Sequence, residues 1–331
     1  MKVLFLIQGW DVAASRYRVL QYIPYLKSKR VEATVNLYPR TPRENFRFFK
    51  SLSQYDIVFL QRKRFNQPRL GLLRRRANRI VYDFDDSVMY RNSKNKDPIS
   101  QTRRQRFVQM IKASDFVIAG NEFLKEEVLP FNPNVEVNPT PINQERYDLR
   151  DYGIQKGNIT IGWIGDHGSI HYLEKMRPIF ERIGERYPHT ELKIVCDIFF
   201  DCEHIKVVKK PWASEEEVAD LQSFDIGVMP LVDDPWSWGK CGLKIIQYQG
   251  VGVPVVCTPV GINRDLVEDG INGFYAMTPE EWEEKISVLI EDPQLRERMG
   301  KNGRKRVLEE YTIQSCAPHL FSILKRVMEK K

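Results

Sequence analysis

The chain lacks the marks of a secreted, disulfide-bonded or membrane-spanning protein. Its 331 residues include five cysteines, Cys196, Cys202, Cys241, Cys257 and Cys316. Their number is odd and no CxxC pair occurs, so neither a disulfide framework nor a zinc site is expected, and a reducing cytoplasm fits. No apolar stretch approaches the ~20 residues that span a bilayer. The opening MKVLFLIQGWD turns polar too early for a signal peptide and predicts a first strand. GxGxxG is absent, which gives a Rossmann dehydrogenase no support. The histidines show no HExxH spacing, and no Ser-His-Asp or Cys-His set can be assigned. No internal repeat, low-complexity segment, RRM, OB or zinc-finger signature is present.

What is present is the balance of a globular protein, with 42% hydrophobic and 29% charged residues. The length suits two α/β domains. The net charge of +7 hides an asymmetry. Residues 1–155 hold 28 Lys and Arg against 16 Asp and Glu, an excess of +12, and the remainder carries −5. Basic residues cluster in QRKRF (61–65), LRRRANR (73–79) and RRQR (103–106). Two readings stay open. The runs are a solvated helical surface, or they face an anionic partner: a membrane surface, an acidic acceptor or nucleic acid.

Short β-rich runs alternate with helical patterns throughout. In the first half they are 3–7, 33–37, 56–60, 79–83, 115–119 and 135–137, with a helix expected over 15–29. The Pro- and Gly-rich stretch 138–157 reads as a linker. Strands then resume at 158–165, 191–196, 205–209, 225–231, 253–258 and 273–276, with helices near 169–186, 214–222, 241–250 and 279–290. This alternation predicts two Rossmann-like, doubly wound α/β domains facing a central cleft. The expected domains are 1–150 and 151–311. Residues 312–331 form an amphipathic helix with Ile313, Cys316, Leu320, Ile323, Leu324 and Val327 on one stripe.

Four constellations could carry chemistry. In GWIGDHGSIHYL (162–173) a strand ends, Gly165 and Gly168 permit a tight turn, and a helix starts near Ser169. Unpaired amides there suit a phosphate, or the turn is an ordinary one capped by Ser169. In DDPWSWGKCGLKIIQYQGVGVPVV (233–256) a helix is expected to begin near Cys241, with Lys240 and Lys244 on one face of its first turn and Gln247 a turn further on. Lysines at a helix N-terminus oppose the macrodipole unless a dianion sits between them. In YDFDDS (82–87), Asp83, Asp85 and Asp86 repel one another unless something cationic or hydroxylated meets them; the pattern also matches a metal-binding D-x-D. In GWDVAASRYR (9–18), Gly9 and Trp10 precede Arg16 and Arg18, which enter the first helix and either bind acceptor or donor phosphate or lie on the surface.

The 233–256 stretch resembles the donor-site helix of GT-B glycosyltransferases of family 4, also called group 1. The resemblance continues through Pro254–Val256, TPVGIN (258–263), EDGINGF (268–274) and 292–311, covering essentially 158–331. It implies a nucleoside-diphosphate sugar bound in the C-terminal half with no required metal or other cofactor, and a final helix that crosses back onto the N-terminal domain. It implies that amides around Gly165, Asp166, His167, Gly168 and Ser169 meet the diphosphate, and that Trp212 stacks on the base. Gly261, Ile262 and Asn263 would line the sugar. The chain departs from the family where an Arg and a Lys commonly follow the first C-terminal strand: here stand Asp166, His167 and His171. The common E-x7-E positions hold Gly239 and Gln247. Lys240 and Lys244 are expected to supply the missing charge, with Asp83, Asp85 and Asp86 as candidate catalytic acids and Gln247 on ribose. The expectation is a retaining, metal-independent glycosyltransferase, cytoplasmic and associated with the inner membrane face, acting on an anionic or lipid-linked acceptor glycan. The alternatives are a GT-B nucleotide-sugar epimerase and a non-catalytic sugar-nucleotide or nucleic-acid binding module.

Overall fold

A computed structural model describes residues 1–153 and 157–329. The chain divides into two compact units. The first comprises Met1–Pro141, Asp234–Cys241 and the C-terminal segment from Ile313; the second comprises Ile142–Asp233 and Gly242–Thr312.

The first unit holds the parallel strands β1 (Lys2–Ile7), β2 (Glu32–Leu37), β3 (Ile57–Gln61), β4 (Ile80–Phe84), β5 (Phe116–Ala119) and β6 (Val135–Val137). Their order is β2-β1-β3-β4-β5-β6. Alternation along a strand sends successive side chains to opposite faces. Leu4, Leu6, Val58, Leu60, Ile80 and Tyr82 thus share one core with Phe107, Met110 and Leu124. Val3, Phe5, Ile57, Phe59, Val81 and Ile118 face the other way, and the helix Ile313–Glu329 covers them with Cys316, Leu320, Ile323, Leu324 and Val327. The amphipathic stripe read from the sequence is therefore the lid of the first sheet's second face. The helix expected over 15–29 is broken into Ala13–Arg18, a 3₁₀ turn at Leu20–Tyr22, and Ile23–Ser28. Pro24 sits in the first turn of the last piece, where its missing N–H and fixed φ start a helix but do not continue one.

The second unit holds β7 (Ile159–Ile164), β8 (Thr190–Cys196), β9 (Lys206–Pro211), β10 (Ile226–Met229), β11 (Val255–Cys257) and β12 (Gly273–Tyr275). All are parallel, in the order β12-β11-β10-β7-β8-β9. This is the doubly wound arrangement, and its strand order reverses between β7 and β10. Pro178 divides the expected 169–186 helix into Ile170–Glu174 and Arg177–Arg186. Much of the stretch read as a linker is fixed to this unit. Tyr147 is buried, and Arg150 pairs with Asp225 at 2.6 Å while Asp225 accepts the Thr160 amide at 2.9 Å. Residues 154–156 of that stretch lie outside the described residues.

Among the described residues no helix is long and apolar enough to cross a membrane. All five cysteines are free thiols. Leu320 has 2% exposure, so Leu320→Ala should destabilise the first unit by about 2–5 kcal/mol, transfer and cavity terms together. Urea unfolding measures the loss.

Candidate active site

In the first sheet the order reverses between β1 and β3, so the loops leaving these strands flank the place where doubly wound sheets bind ligands. After β1, Gly9 donates its amide to the Ser15 hydroxyl at 3.4 Å, and Trp10 is half exposed. Ser15 in turn donates to Gln61 Oε1 at 2.9 Å, at the end of β3. Arg16 lies over the Tyr17 ring at 5.1 Å.

Arg18 is not on the surface. It has 2% exposure and Asp83, on β4, has 1%. The guanidinium donates Nε to Asp83 Oδ2 at 3.2 Å and Nη2 to Oδ1, and Nη1 to the Asn138 carbonyl at 2.5 Å. Burial opposes the charge on Arg18, but the Asp83 carboxylate more than offsets it and holds the guanidinium above its ordinary pKa. Asp85 and Asp86 are both held by Arg62, the former through Nε and the latter through Nη2 at 2.7 Å. Arg62 adopts φ 56°, a left-handed conformation uncommon for a side chain of this size, and its amide donates to the Asp83 carbonyl at 2.7 Å. The cationic partners that three adjacent acids demand are thus arginines of the chain itself. Two carboxylates already engaged by guanidinium groups do not form a vacant D-x-D. Among the described residues no group of three His, Cys, Asp or Glu side chains converges as a metal site.

The segment 234–241 is where sequence and structure part most. The sequence predicts a helix near Cys241 with Lys240 and Lys244 on one face; the helix runs Leu243–Gly250, preceded by Gly242 at φ +65°. A left-handed residue ends helical geometry toward the N-terminus, so Lys240 is not on that helix. It belongs to the first unit, whereas Lys244 belongs to the second. Within the first unit the segment is pinned to the loop after β4 and the turn after β5. Asn121 caps the helix Glu122–Val128 and donates its side-chain amide to the carbonyls of Trp238 (3.1 Å) and Lys240 (2.9 Å). Ser87 donates to the Pro235 carbonyl at 2.6 Å, and the Cys241 thiol to the Asp85 carbonyl at 3.2 Å. Burial pushes that thiol's pKa up, so it is neutral and can donate. Lys240 Nζ lies 5.7 Å from the centre of the Trp236 ring.

In the second unit the loop after β7 is closed on itself. Ser169 and Ile170 donate their amides to the Asp166 carbonyl at 2.9 and 3.0 Å, and Gly165 donates to Val195 at 3.0 Å. His167 donates its amide to Asp197 at 2.7 Å and places Nδ1 2.5 Å from the same carboxylate. The hydrogen bond from His167 draws the Asp197 carboxyl below its usual range. The loop is therefore not the open row of amides expected of Gly165, Asp166, His167, Gly168 and Ser169, because most of these donors are taken within the protein. The helix it enters, Ile170–Glu174, has only five residues, too short to concentrate a macrodipole. The His171 ring on that helix lies 4.0 Å from the Tyr172 ring, tilted by 35° to it.

A continuous polar chain runs through this unit. Trp212, just past β9, donates Nε1 to Glu217 Oε2 at 3.0 Å. Tyr147 donates its hydroxyl to Glu217 Oε1 at 3.1 Å, and Gln247 donates Nε2 to that hydroxyl at 3.0 Å. Glu217, Tyr147 and Gln247 are buried. Sequence reasoning missed Glu217 and Tyr147. The available signal was an acid in the inward stripe of the helix Glu217–Gln222, spaced by four from Leu221. Lys244 Nζ lies 5.4 Å from the centre of the buried Trp163 ring on β7. Gly261 adopts φ +54°, as a tight turn after Thr258 requires. The Asn263 side chain is fully buried and donates to the Thr258 carbonyl at 2.9 Å, and its amide donates to Val260 at 3.2 Å. Asn263 thus anchors the turn, with Ile262 buried beside it.

The basic runs are also spent largely inside the first unit. Arg62 holds Asp85 and Asp86, Arg64 donates to the Val88 carbonyl, and burial lowers the Arg64 pKa. Arg74 pairs with Asp115 at 2.6 Å, and Arg104 pairs with Glu127. Arg64 also feels the charges of Arg103 and Arg106, so the first and third runs approach one another.

Comparison with known proteins agrees with this architecture. The fold is that of Anabaena Alr3699/HepE, solved in complex with UDP and glucose (TM-score 0.74, 16% identity, 98% of this chain and 99% of that chain). Sucrose-phosphate synthase of Thermosynechococcus elongatus matches at TM-score 0.77 with 13% identity, covering 99% of each chain. Both set the chain among two-domain folds of the GT-B type. Residues 206–306 match the family model "Glycosyl transferases group 1". Among curated relatives, the uncharacterized glycosyltransferase MJ1607 of Methanocaldococcus jannaschii is 26% identical over 240 residues, 64% of this chain and 60% of its own length. The capsular polysaccharide biosynthesis glycosyltransferase CapM of Staphylococcus aureus is 41% identical over 71 residues, 21% of this chain and 19% of its own.

Gly239 tests the docking of the 234–241 segment. A Cβ there would lie 2.1 Å from Ser87 Oγ and 2.8 Å from the Ser87 backbone nitrogen. Gly239→Ala should cost about 1–3 kcal/mol as overpacking. Hydrogen exchange should show lost protection confined to 234–241 and the loops that hold it.

Proposed function

We propose that the protein transfers a sugar from a nucleoside-diphosphate donor to an acceptor hydroxyl. The observation that carries this reading is the group 1 family match over 206–306, which contains Trp212, Glu217, Lys244, Gln247 and the 258–263 turn. The fold likeness to a protein solved with UDP and glucose agrees with it. In this reading the second unit binds the donor. Trp212 offers a ring face to the base, and Glu217 fixes that ring by accepting its Nε1 hydrogen. Gln247 and Tyr147 brace Glu217 from behind, which replaces the ribose contact expected of Gln247.

In the transfer the acceptor oxygen bonds to the anomeric carbon as the carbon–oxygen bond to the diphosphate breaks. Negative charge gathers on the leaving diphosphate, whose departing oxygen takes the proton of the acceptor hydroxyl. A cation aimed at that charge is the protein's main contribution. Lys244 is the candidate in the second unit and Lys240 in the first. Asp83, Asp85 and Asp86 serve position rather than proton transfer, because their arginines already compensate them. Retention at the anomeric carbon and independence from a metal are parts of this reading, as is an anionic or membrane-attached acceptor.

A thermal-shift screen of UDP-, GDP-, ADP- and CMP-sugars should single out one base, since ligand at 100 times its Kd adds about 2.7 kcal/mol of stability. With that donor, Lys244→Ala should lower kcat by about 10²–10³ while leaving the melting temperature near that of the parent. Lys240→Ala is the parallel test. Turnover should survive EDTA; complete loss with rescue by manganese would sink the metal-free scheme. Isomerisation of the donor sugar without acceptor would point to an epimerase instead.

A further inference from the structure

The first unit carries a groove of about 730 Å³ between the helices Pro42–Ser51 and Gln67–Arg76. Four cations line it: Arg40, Lys50, Arg69 and Arg76, with no acidic residue among the lining groups. Its apolar part is made by Phe46, Phe49 and Leu72. Phe49 is buried, but Phe46 is 71% exposed, the most exposed large hydrophobic side chain among the described residues. Helical spacing explains the arrangement. Phe48, Phe49 and Leu52 turn toward the core, so Arg43, Phe46, Arg47 and Lys50 fall together on the outer stripe. The one acid in this helix, Glu44, is occupied by the capping box, accepting the amides of Arg40 (2.7 Å) and Thr41 (3.1 Å). Among the described residues, Arg43, Arg47, Lys50, Arg69, Arg75 and Arg76 form no ion pair, whereas Arg74 on the same helix is tied to Asp115.

We propose that this groove docks the protein on an anionic phospholipid bilayer. Charge complementarity selects the occupant: cations surround an aromatic ring that projects into solvent, and no carboxylate opposes an approaching phosphate. Headgroup phosphates sit among Arg40, Lys50, Arg69 and Arg76, and the Phe46 ring enters the boundary between headgroups and acyl chains. The basic runs at 61–65 and 103–106, and Arg74 of the 73–79 run, are not part of the membrane face. That face is built mainly by residues 40–50, with Arg69, Arg75 and Arg76. This assignment does not depend on the sugar-transfer reading, because it concerns adhesion of the full chain without donor or acceptor.

Vesicle flotation of the full chain tests it, with phosphatidylcholine vesicles alone and mixed with phosphatidylglycerol. The chain should float only with the mixed vesicles, and high salt should release it. Arg69→Glu with Arg76→Glu should weaken partitioning by at least about 25-fold, from about fivefold per cation. Phe46→Ser should weaken it by about tenfold while keeping its salt dependence. Arg298→Glu, an exposed change in the second unit, should leave flotation unchanged. All these sites are exposed, and circular dichroism checks that the variants stay folded. Failure to float, equal flotation on neutral vesicles, or flotation indifferent to the Arg69 and Arg76 changes would overturn the proposal. So would binding to heparin as tight as to vesicles and unaffected by Phe46→Ser, which would make the face a site for soluble polyanions.

Discussion

The first unit depends on a buried ion pair, Arg18 with Asp83. β4 lies inside the first sheet with neighbours on both sides, and Asp83 is desolvated almost completely. A lone carboxylate in that position would be too costly to keep ionised. Arg18 repays part of that cost, and its remaining Nη1 hydrogen bond to the Asn138 carbonyl ties the end of β6 to the same centre. Breaking such a pair from one side costs about 3–5 kcal/mol, because the surviving charge stays buried. Asp85 and Asp86 continue the pattern through Arg62, whose strained backbone puts one guanidinium within reach of both. With the side chains of the loop neutralised, its backbone and Ser87 are left to receive the 234–241 segment.

Much of the architecture was legible in the sequence because burial leaves a periodic trace. All twelve strands among the described residues fall where β-rich runs were read, and the final helix shows its stripe because one face must cover β1, β3 and β4. Side chains that bond across long sequence separations leave no such trace. Arg18 reads equally well as a surface cation until Asp83, sixty-five positions later, is placed beside it. Tyr147 and Arg150 lie in a stretch whose Pro, Gly and polar content imitates a linker, yet both are buried through partners at 217 and 225. The helix start was read near Cys241 because apolar spacing continues through 241–246, whereas the backbone turns left-handed at Gly242. Glycine is required there both by that left-handed φ and by crowding, with Leu266 Cδ1 2.1 Å from a would-be Cβ.

The candidate site was legible at the level of segments and less so at the level of atoms. The loop after β7 was chosen for its glycines, but its donors close the turn instead of standing open. Trp212 was singled out by the family resemblance, and Glu217, which accepts its Nε1 hydrogen, was not. The basic character of the first half was visible from composition alone. Its distribution was not, because a cation that grips a carbonyl looks in sequence like one that faces solvent. Arg74 and Arg76 illustrate this within one helical turn, the first tied to Asp115 and the second lining an open groove.

On the proposed reading, Asp83 on β4 and Asp85 and Asp86 just after it hold the first unit together and do not transfer protons. A double-mutant cycle on Arg18→Met and Asp83→Leu, read by urea unfolding and by kcat with the preferred donor, tests it most directly. Each single change should cost about 3–5 kcal/mol, and the double change should cost far less than their sum, since no charge is left unpaired. The double variant, assayed below its melting temperature, should retain most of its kcat. A double variant that folds as stably as the parent but has lost about 10²–10⁴ in kcat would contradict the claim and return Asp83 to the chemistry as an acid or base.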